Sequence, residues 1–369
     1  MQFSTIYSRI ESLSSVTSQR ALIKDAVQTG LFRATAHDLP YLMTDGVITT
    51  IAPYETGTVT VSSGSTTVTG LLTTFTSAMV GRKIRVGSEN EYYRISAFVS
   101  TTEVTLEYAY RGSLTSGNTF SIYKDEYRLA SDLDIYKVMR QVKGQASLVD
   151  LDNTAFDIYT PSPRAEGPPR YSILNGSKLD TYTTGTVSAS INSATITGSS
   201  TAWTSVEGLG KGSNITIGSY VYTVKSVDSA TQITLYETTT VAVSGGTAYS
   251  ISLDNYIIQF HPIPDTSENI YYKYQRIVFP LFNDQDVPDL PNQYHHILVT
   301  AGLIWAWKTK DKEESIRTDA IFYSQLKEMW ERIGYISSNR SRRRASQDLI
   351  YMAQTYPSLP SGRGIPFSL

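Results

Sequence analysis

YIIQFHPIPDTSENIYYKYQRIVFPLFNDQDVPDLPNQYHHILVTAGLIWAWKTKDKEESIRTDAIFYSQLKEMWERIG, residues Tyr256–Gly334, decides the reading of this chain. Two strand-like runs open it, Tyr256–His261 and Ile270–Ile277, with the turn signal Pro262–Asn269 between them. A Pro-rich polar loop ends in LPNQYHH. Two helices then close the unit. Pro291 suits a first helical turn, and Tyr294, Ile297, Leu298, Ala301, Ile304 and Trp305 recur at helical spacing. Asp311 is placed to cap the second helix, with Glu314 three residues on. Ile316, Ala320, Tyr323, Leu326, Trp330 and Ile333 form its expected buried stripe. The short link between the helices predicts an antiparallel pair.

Upstream, a second helical hairpin is predicted. Phe3, Ile6, Ile10 and Leu13 keep helical spacing, as do Leu22, Ala26 and Leu31, around the cap-forming SSVTSQ. GVITTIAPY (Gly46–Tyr54) reads as a strand. The next stretch occurs twice. TGTVTVSSGSTTVTG (Thr56–Gly70) and TGTVSASINSATITG (Thr184–Gly198) agree at nine of fifteen positions at a shift of 128. The match runs on through KIRVG and NITIG, then YRISAFVSTTEVTL and YTVKSVDSATQITL, to SGNTFSI and SGGTAYSI. Each copy has short alternating strands between Gly/Ser turns, the pattern of a small Ig-like or SH3-like barrel or sandwich.

The expected fold class is therefore α+β. A helical bundle (the N-terminal hairpin plus the C-terminal helix pair) and a β-sheet core form one discontinuous domain from residues 1–54, 124–180 and 254–337. Two duplicated β domains, 55–123 and 181–253, interrupt it. Strand Gly46–Tyr54 is expected beside residues 125–140, which read as strands with a kink at SDLD, and strand Tyr171–Gly176 beside Tyr256–His261. Hosts tolerate such insertions because each doubling of loop length costs only about 0.6 kcal/mol. Beyond Gly334 the pattern stops, and 338–369 reads as an extended tail.

Composition narrows the function. The 369 residues hold 18% charged and 40% hydrophobic residues, 26 Tyr and no Cys, at a net charge of −2. That excludes disulfide and thiolate chemistry and a surface that is basic throughout. The N-terminus lacks a signal-peptide pattern, and no apolar run is long enough to span a membrane. A protein made in a reducing cytosol fits.

No catalytic constellation emerges. His37, His261, His295 and His296 offer no chelating pair, because neighbouring helix positions face different sides. GLGKGS (Gly208–Ser213) misses both the leading Gly and the trailing Ser/Thr of a phosphate loop. Asp150/Asp152 and Asp284/Asp286/Asp289 lack the register of a Ca²⁺ loop. The sequons at Asn175, Asn214 and Asn339 have meaning only in a secreted protein. Arg340, Arg342, Arg343, Arg344 and Arg363 stand against one acid, Asp348. They suit docking onto an acidic partner surface, or else phosphate contact. No catalytic residue, cofactor or metal site is expected.

The order helical hairpin, strand, YRLASDLDIYKV, PPRYSILNG, IIQFHPIPD and DVPDLPNQYHHILVTAGLIWAW resembles the head-to-tail adaptors of tailed bacteriophages, called tail tubular protein A in some short-tailed phages. Leu290, Pro291, Tyr294, His295 and Leu298 match the family's opening of the first C-terminal helix. Pro262, Pro264 and Asp265 match the strand end before it. The resemblance covers about half of the chain and leaves out the duplicated modules. It implies a structural virion protein, usually a ring of twelve copies at the portal–tail junction. The ring would join the portal to a tail tube or nozzle and pass double-stranded DNA through its lumen without sequence-specific binding. The C-terminal tail would reach the portal, with Arg340, Arg342, Arg343, Arg344, Tyr351, Tyr356, Arg363 and Phe367 as docking residues. The helix packing would rest on Tyr294, Leu298, Ile304, Trp305, Tyr323, Leu326 and Trp330, and the β domains are free to meet tail fibres. A receptor- or glycan-binding tail component using the duplicated domains is the alternative. An enzyme lacks any candidate site.

Overall fold

A computed structural model describes residues 1–355 except 17–18, 38, 114–115, 142–147 and 160–163, with backbone alone at 138–141, 153, 157, 159, 309 and 334–355. Two helices open the chain, α1 (Phe3–Ser14) and α2 (Arg20–Ala34), followed by β1 (Met43–Thr49). The first repeat supplies β2 (Thr58–Thr60), β3 (Thr67–Leu71), β4 (Lys83–Val86), β5 (Tyr93–Ser100), β6 (Glu103–Leu106) and β7 (Phe120–Tyr123). Next come β8 (Glu126–Arg128), β9 (Leu133–Gln141), β10 (Val149–Asp150), α3 (Asn153–Tyr159) and β11 (Tyr171–Tyr182). The second repeat supplies β12 (Thr186–Ala189), β13 (Thr195–Ser199), β14 (Asn214–Ile217), β15 (Tyr220–Ser229), β16 (Gln232–Leu235) and β17 (Val243–Thr247). Then β18 (Tyr249–His261), β19 (Asn269–Arg276), α4 (His295–Lys310) and α5 (Lys312–Thr355) complete an α+β chain.

The expected discontinuous core divides further than the sequence pattern suggested. Met1–Leu42 and the chain from Val278 on form one compact unit, and Met43–Ile277 forms the other. The reason is where apolar surface goes. The helices bury their stripes among themselves, while the strands outside the repeats close a separate core around Tyr127, Leu129, Ile258, Phe260 and Tyr272.

In the helical unit, α4 packs against α1, α2 and α5. Small residues set the approach. A Cβ on Gly30 would lie 2.4 Å from the Ala301 Cβ, and one on Gly302 would lie 2.3 Å from Ile10 Cδ1. Asp311 caps α5, its Oδ1 accepting from the Glu313 and Glu314 N–H groups. Tyr294, Leu298 and Leu326 are buried, and Ile304, Trp305 and Trp330 are partly so. Trp330 Nε1 donates to Ala34 O at 3.0 Å. Tyr323 departs from its expected packing. Phe322, Leu326 and Met329 fill the core, whereas Tyr323 is 50% and Ile316 64% exposed. Two apolar stripes lie on α5, and the packing uses the one that also carries Thr318 and Ser315. Ser315 Oγ donates to Ile304 O at 2.9 Å, which satisfies a polar group on that face.

The predicted extended tail is also corrected over part of its length. α5 continues past Gly334 to Thr355, because no Pro or Gly interrupts 335–355 and Arg, Ala, Gln, Leu and Met favour a helix. Arg340, Arg342, Arg343, Arg344 and Tyr351 therefore lie on helical backbone, while Tyr356, Arg363 and Phe367 lie outside the described residues.

In the β unit, β11 pairs with β18 antiparallel, Tyr171 opposite His261. β1 does not lie beside β9. The order is β1-β19-β9, so β19 stands between them, and β18 and β19 enter different sheets rather than forming a hairpin. The break before β9 falls at Ala130–Asp132, where the Ala130 N–H bonds to Tyr272 Oη.

The repeats fold alike. The first has the order β2-β3-β6-β5-β4-β7, and the second repeats it as β12-β13-β16-β15-β14-β18, with β17 against β12. Their cores correspond at many positions: Val68 with Ile196, Phe75 with Trp203, Tyr93 with Tyr222, Leu106 with Leu235 and Ile122 with Ile251 are all buried. Gly57 and Gly185 both sit at positive φ, where a Cβ would lie 2.4 Å from Leu71 O or Ser199 O. Even the irregularities recur, at Ile95/Ala97 and at Val224/Ser226.

Candidate functional site

The β unit contains a cleft of 910 Å³. Four stretches supply most of its lining, Gly46–Thr49 of β1, residues 78–83 of the first repeat, residues 123–132 including β8, and residues 204–211 of the second repeat, and Arg94, Lys178 and Asp180 join them. The fold explains why charge gathers here. β8 is the short strand between the repeats; its Glu126 side chain meets Lys83 and Arg94 of the first repeat, and its Arg128 N–H meets Glu207 of the second.

Lys83 is buried, and its Nζ lies 2.9 Å from Asp125 Oδ2 and 2.8 Å from Glu126 Oε1. Arg94 Nη2 reaches the other Glu126 oxygen at 3.0 Å. Burial works against the charges of Lys83 and Glu126, but their partners outweigh it. The Lys83 pKa is held above and the Glu126 pKa below its ordinary value. Arg85 lies over the Tyr123 ring at 4.6 Å and pairs with Glu166 at 3.3 Å. These contacts fix the first repeat.

Glu207 fixes the second. It pairs with Lys124, and its Oε1 accepts the Arg128 N–H at 2.9 Å. Arg128 Nη1 donates to the carbonyls of Lys178 and Leu253, and its Nη2 meets Asp180 at 3.1 Å. Asn255 Nδ2 donates to Gly208 O and Ser131 Oγ to Lys211 O. GLGKGS is thus a loop tied to the strands beneath it rather than the turn of a hairpin.

Charge in the cleft does not cancel. Arg82, Lys83, Arg94, Lys124, Arg128, Lys178 and Lys211 face Asp125, Glu126, Asp132, Asp180 and Glu207, an excess of two positive charges. Among the described residues Arg82 makes no ion pair, although the Glu207 charge acts on it from a distance. Its Nε donates to Ala78 O at 3.1 Å, and burial lowers its pKa. Burial pushes Tyr127 up and Tyr272 up to about 12, so both phenols stay protonated donors and are not bases at neutral pH.

The residues singled out from sequence are scattered and mostly structural. His37 stacks edge-on with Trp330, and His261 with Phe156. His295 is buried, its Nε2–H donating to Leu290 O at 2.7 Å, while His296 is exposed. Burial lowers the His295 pKa. Asp150 accepts from Tyr136 and Ser172, and Asp152 caps α3 through the Ala155 N–H. Asp284 pairs with Lys24, and Asp286 accepts from the N–H groups of Phe282 and Asn283. Among the described residues no cluster of His, Cys, Asp and Glu has a metal-binding arrangement, and no helix is long and apolar enough to cross a membrane.

The cleft residues were missed, though the repeats carried a signal for them. Lys83 and Arg85 stand where the second copy has Asn214 and Thr216, so one copy alone has cations on its β4 face. No protein-family model matches the chain, and no curated protein matches its sequence.

Proposed function

We propose that the protein is a structural component of a phage virion: a head-to-tail adaptor whose copies form a ring, about twelve by the resemblance, between portal and tail. The ring joins the portal to the tail tube or nozzle and lets the genome pass through its lumen. Made in the host cytoplasm, it ends in the virion. On this reading the four long helices are the adaptor's bundle, and the duplicated domains are small barrels of the Ig-like or SH3-like kind, free to meet tail fibres.

The observation that carries this reading is the build of the helical unit. The two ends of the chain make one helical body, and the repeats, which the resemblance leaves out, lie outside it. The exposed stripe Ile316, Ala320 and Tyr323 on α5 adds support, since apolar surface left open on one copy suits contact with a neighbour. On this reading the Arg cluster in α5 beyond Gly334 docks onto the portal, as its basic sequence suits an acidic partner surface.

Electron microscopy of the purified protein, alone and with portal, tests the proposal. Rings that bind portal are expected. Deleting 338–369 should leave the fold and lower portal attachment. Monomers that ignore portal and bind cell-surface glycans would replace the adaptor with the receptor-binding alternative.

A further inference from the structure

The three-stranded sheet ends at β1, and among the described residues no strand covers its outer edge. The ladder shows which groups are left over. Thr50 N–H donates to Glu268 O at 2.8 Å, so Gly46 and Ile48 turn their backbone groups to β19, and Val47 and Thr49 turn theirs outward. Ile51, next in the outward series, gives its N–H to Tyr127 Oη at 3.1 Å. Val47 and Thr49 make no such bond among the described residues.

This edge opens into the cleft, which Gly46–Thr49 line without a gap. Two exposed valines stand in the same lining, Val47 at 50% and Val80 at 43%. The lining also has its excess of positive charge, and among the described residues Arg82 makes no ion pair. An unpaired edge is a template for a further strand, and this one combines apolar contact with a cation short of a counter-ion.

We propose that the β1 edge takes up an extended acidic segment of a partner protein as an added strand. The segment's main chain pairs with Val47 and Thr49, an apolar side chain rests on Val47 and Val80, and a carboxylate meets Arg82. The inference does not depend on the adaptor reading.

The test uses the full chain and a labelled, end-blocked peptide of about seven residues, an ordinary strand length, alternating valine with glutamate. Fluorescence anisotropy should show saturable binding, about tenfold weaker for the matching lysine peptide. Val47→Pro removes an N–H that faces away from β19, so the ladder keeps its bonds, and binding should fall about tenfold. Arg82→Gln should weaken binding similarly, and the peptide should slow amide exchange at Val47 and Thr49. If Val47→Pro does not fold, Arg82→Gln and the exchange measurement decide. Equal binding of the lysine peptide, no response to Arg82→Gln, unchanged exchange, or displacement of the peptide by inorganic phosphate or a DNA duplex would overturn the proposal.

Discussion

Phe75 and Trp203 hold the same place in the two repeats: both are 1% exposed, and their N–H groups donate to Thr101 O at 2.8 Å and Ala230 O at 3.1 Å. They differ at the rim. Trp203 Nε1 donates to Tyr249 Oη at 2.9 Å, and Tyr249 in turn donates to Thr184 O. Trp203→Ala should destabilise the second repeat by about 3–5 kcal/mol. Trp203→Phe, which restores the first repeat's residue, should cost clearly less. Urea unfolding of both variants, followed by circular dichroism, measures the difference.

The Lys83 pairings give a pH-dependent stability. Glu126 has a depressed folded pKa, so its contribution is complete above the unfolded value of about 4.3 and is lost as pH falls through the folded one. Lys83 has a raised pKa, so its contribution holds below about 10.4 and is lost as pH rises beyond. The urea midpoint gap between wild type and Glu126→Gln should therefore shrink as pH drops from about 6 to about 3. Lys83→Met leaves Asp125 without a cation and Glu126 with Arg94 alone, and should cost about 3–5 kcal/mol at neutral pH.

Close helix approach predicts a compensating pair. Gly30→Ala places a methyl against Ala301 and should lower stability of the helical unit by about 1–3 kcal/mol. Adding Ala301→Gly removes the nearest atom and should return part of that loss. A double-mutant cycle by thermal unfolding reads the coupling.

The second repeat should be removable. Tyr182 and Ile251 are register partners, so an Asn-Gly turn replacing residues 183–250 would close β11 and β18 into a hairpin. The shortened chain should stay monodisperse on size exclusion, with its helical circular dichroism retained. Aggregation would mean that the Glu207 and Gly208 contacts are indispensable.

The duplication was legible because both copies need the same turns and inward residues, as Gly57 and Gly185 illustrate. Asp311 was legible because capping is local. The choice between the two stripes of α5 was not, because helical spacing fits both Ile316–Ala320–Tyr323 and Phe322–Leu326–Met329. Only the neighbours of α5 decide. The partner of β1 was hidden for a similar reason: strand pairing over more than 200 residues leaves no periodic trace. The cleft needed the same long-range meeting, since Lys83, Glu126 and Glu207 lie in three different stretches of sequence.

β18 has a mechanical consequence. Its first residues, to Ser252, pair with β14 of the second repeat, and Ile257–Gln259 pair with β8, all within one unbroken strand. No hinge peptide separates the repeat from its host. A load on the repeat is carried as torsion and shear along a hydrogen-bonded ribbon, so the repeat behaves as a bracket and not as a pendant on a tether.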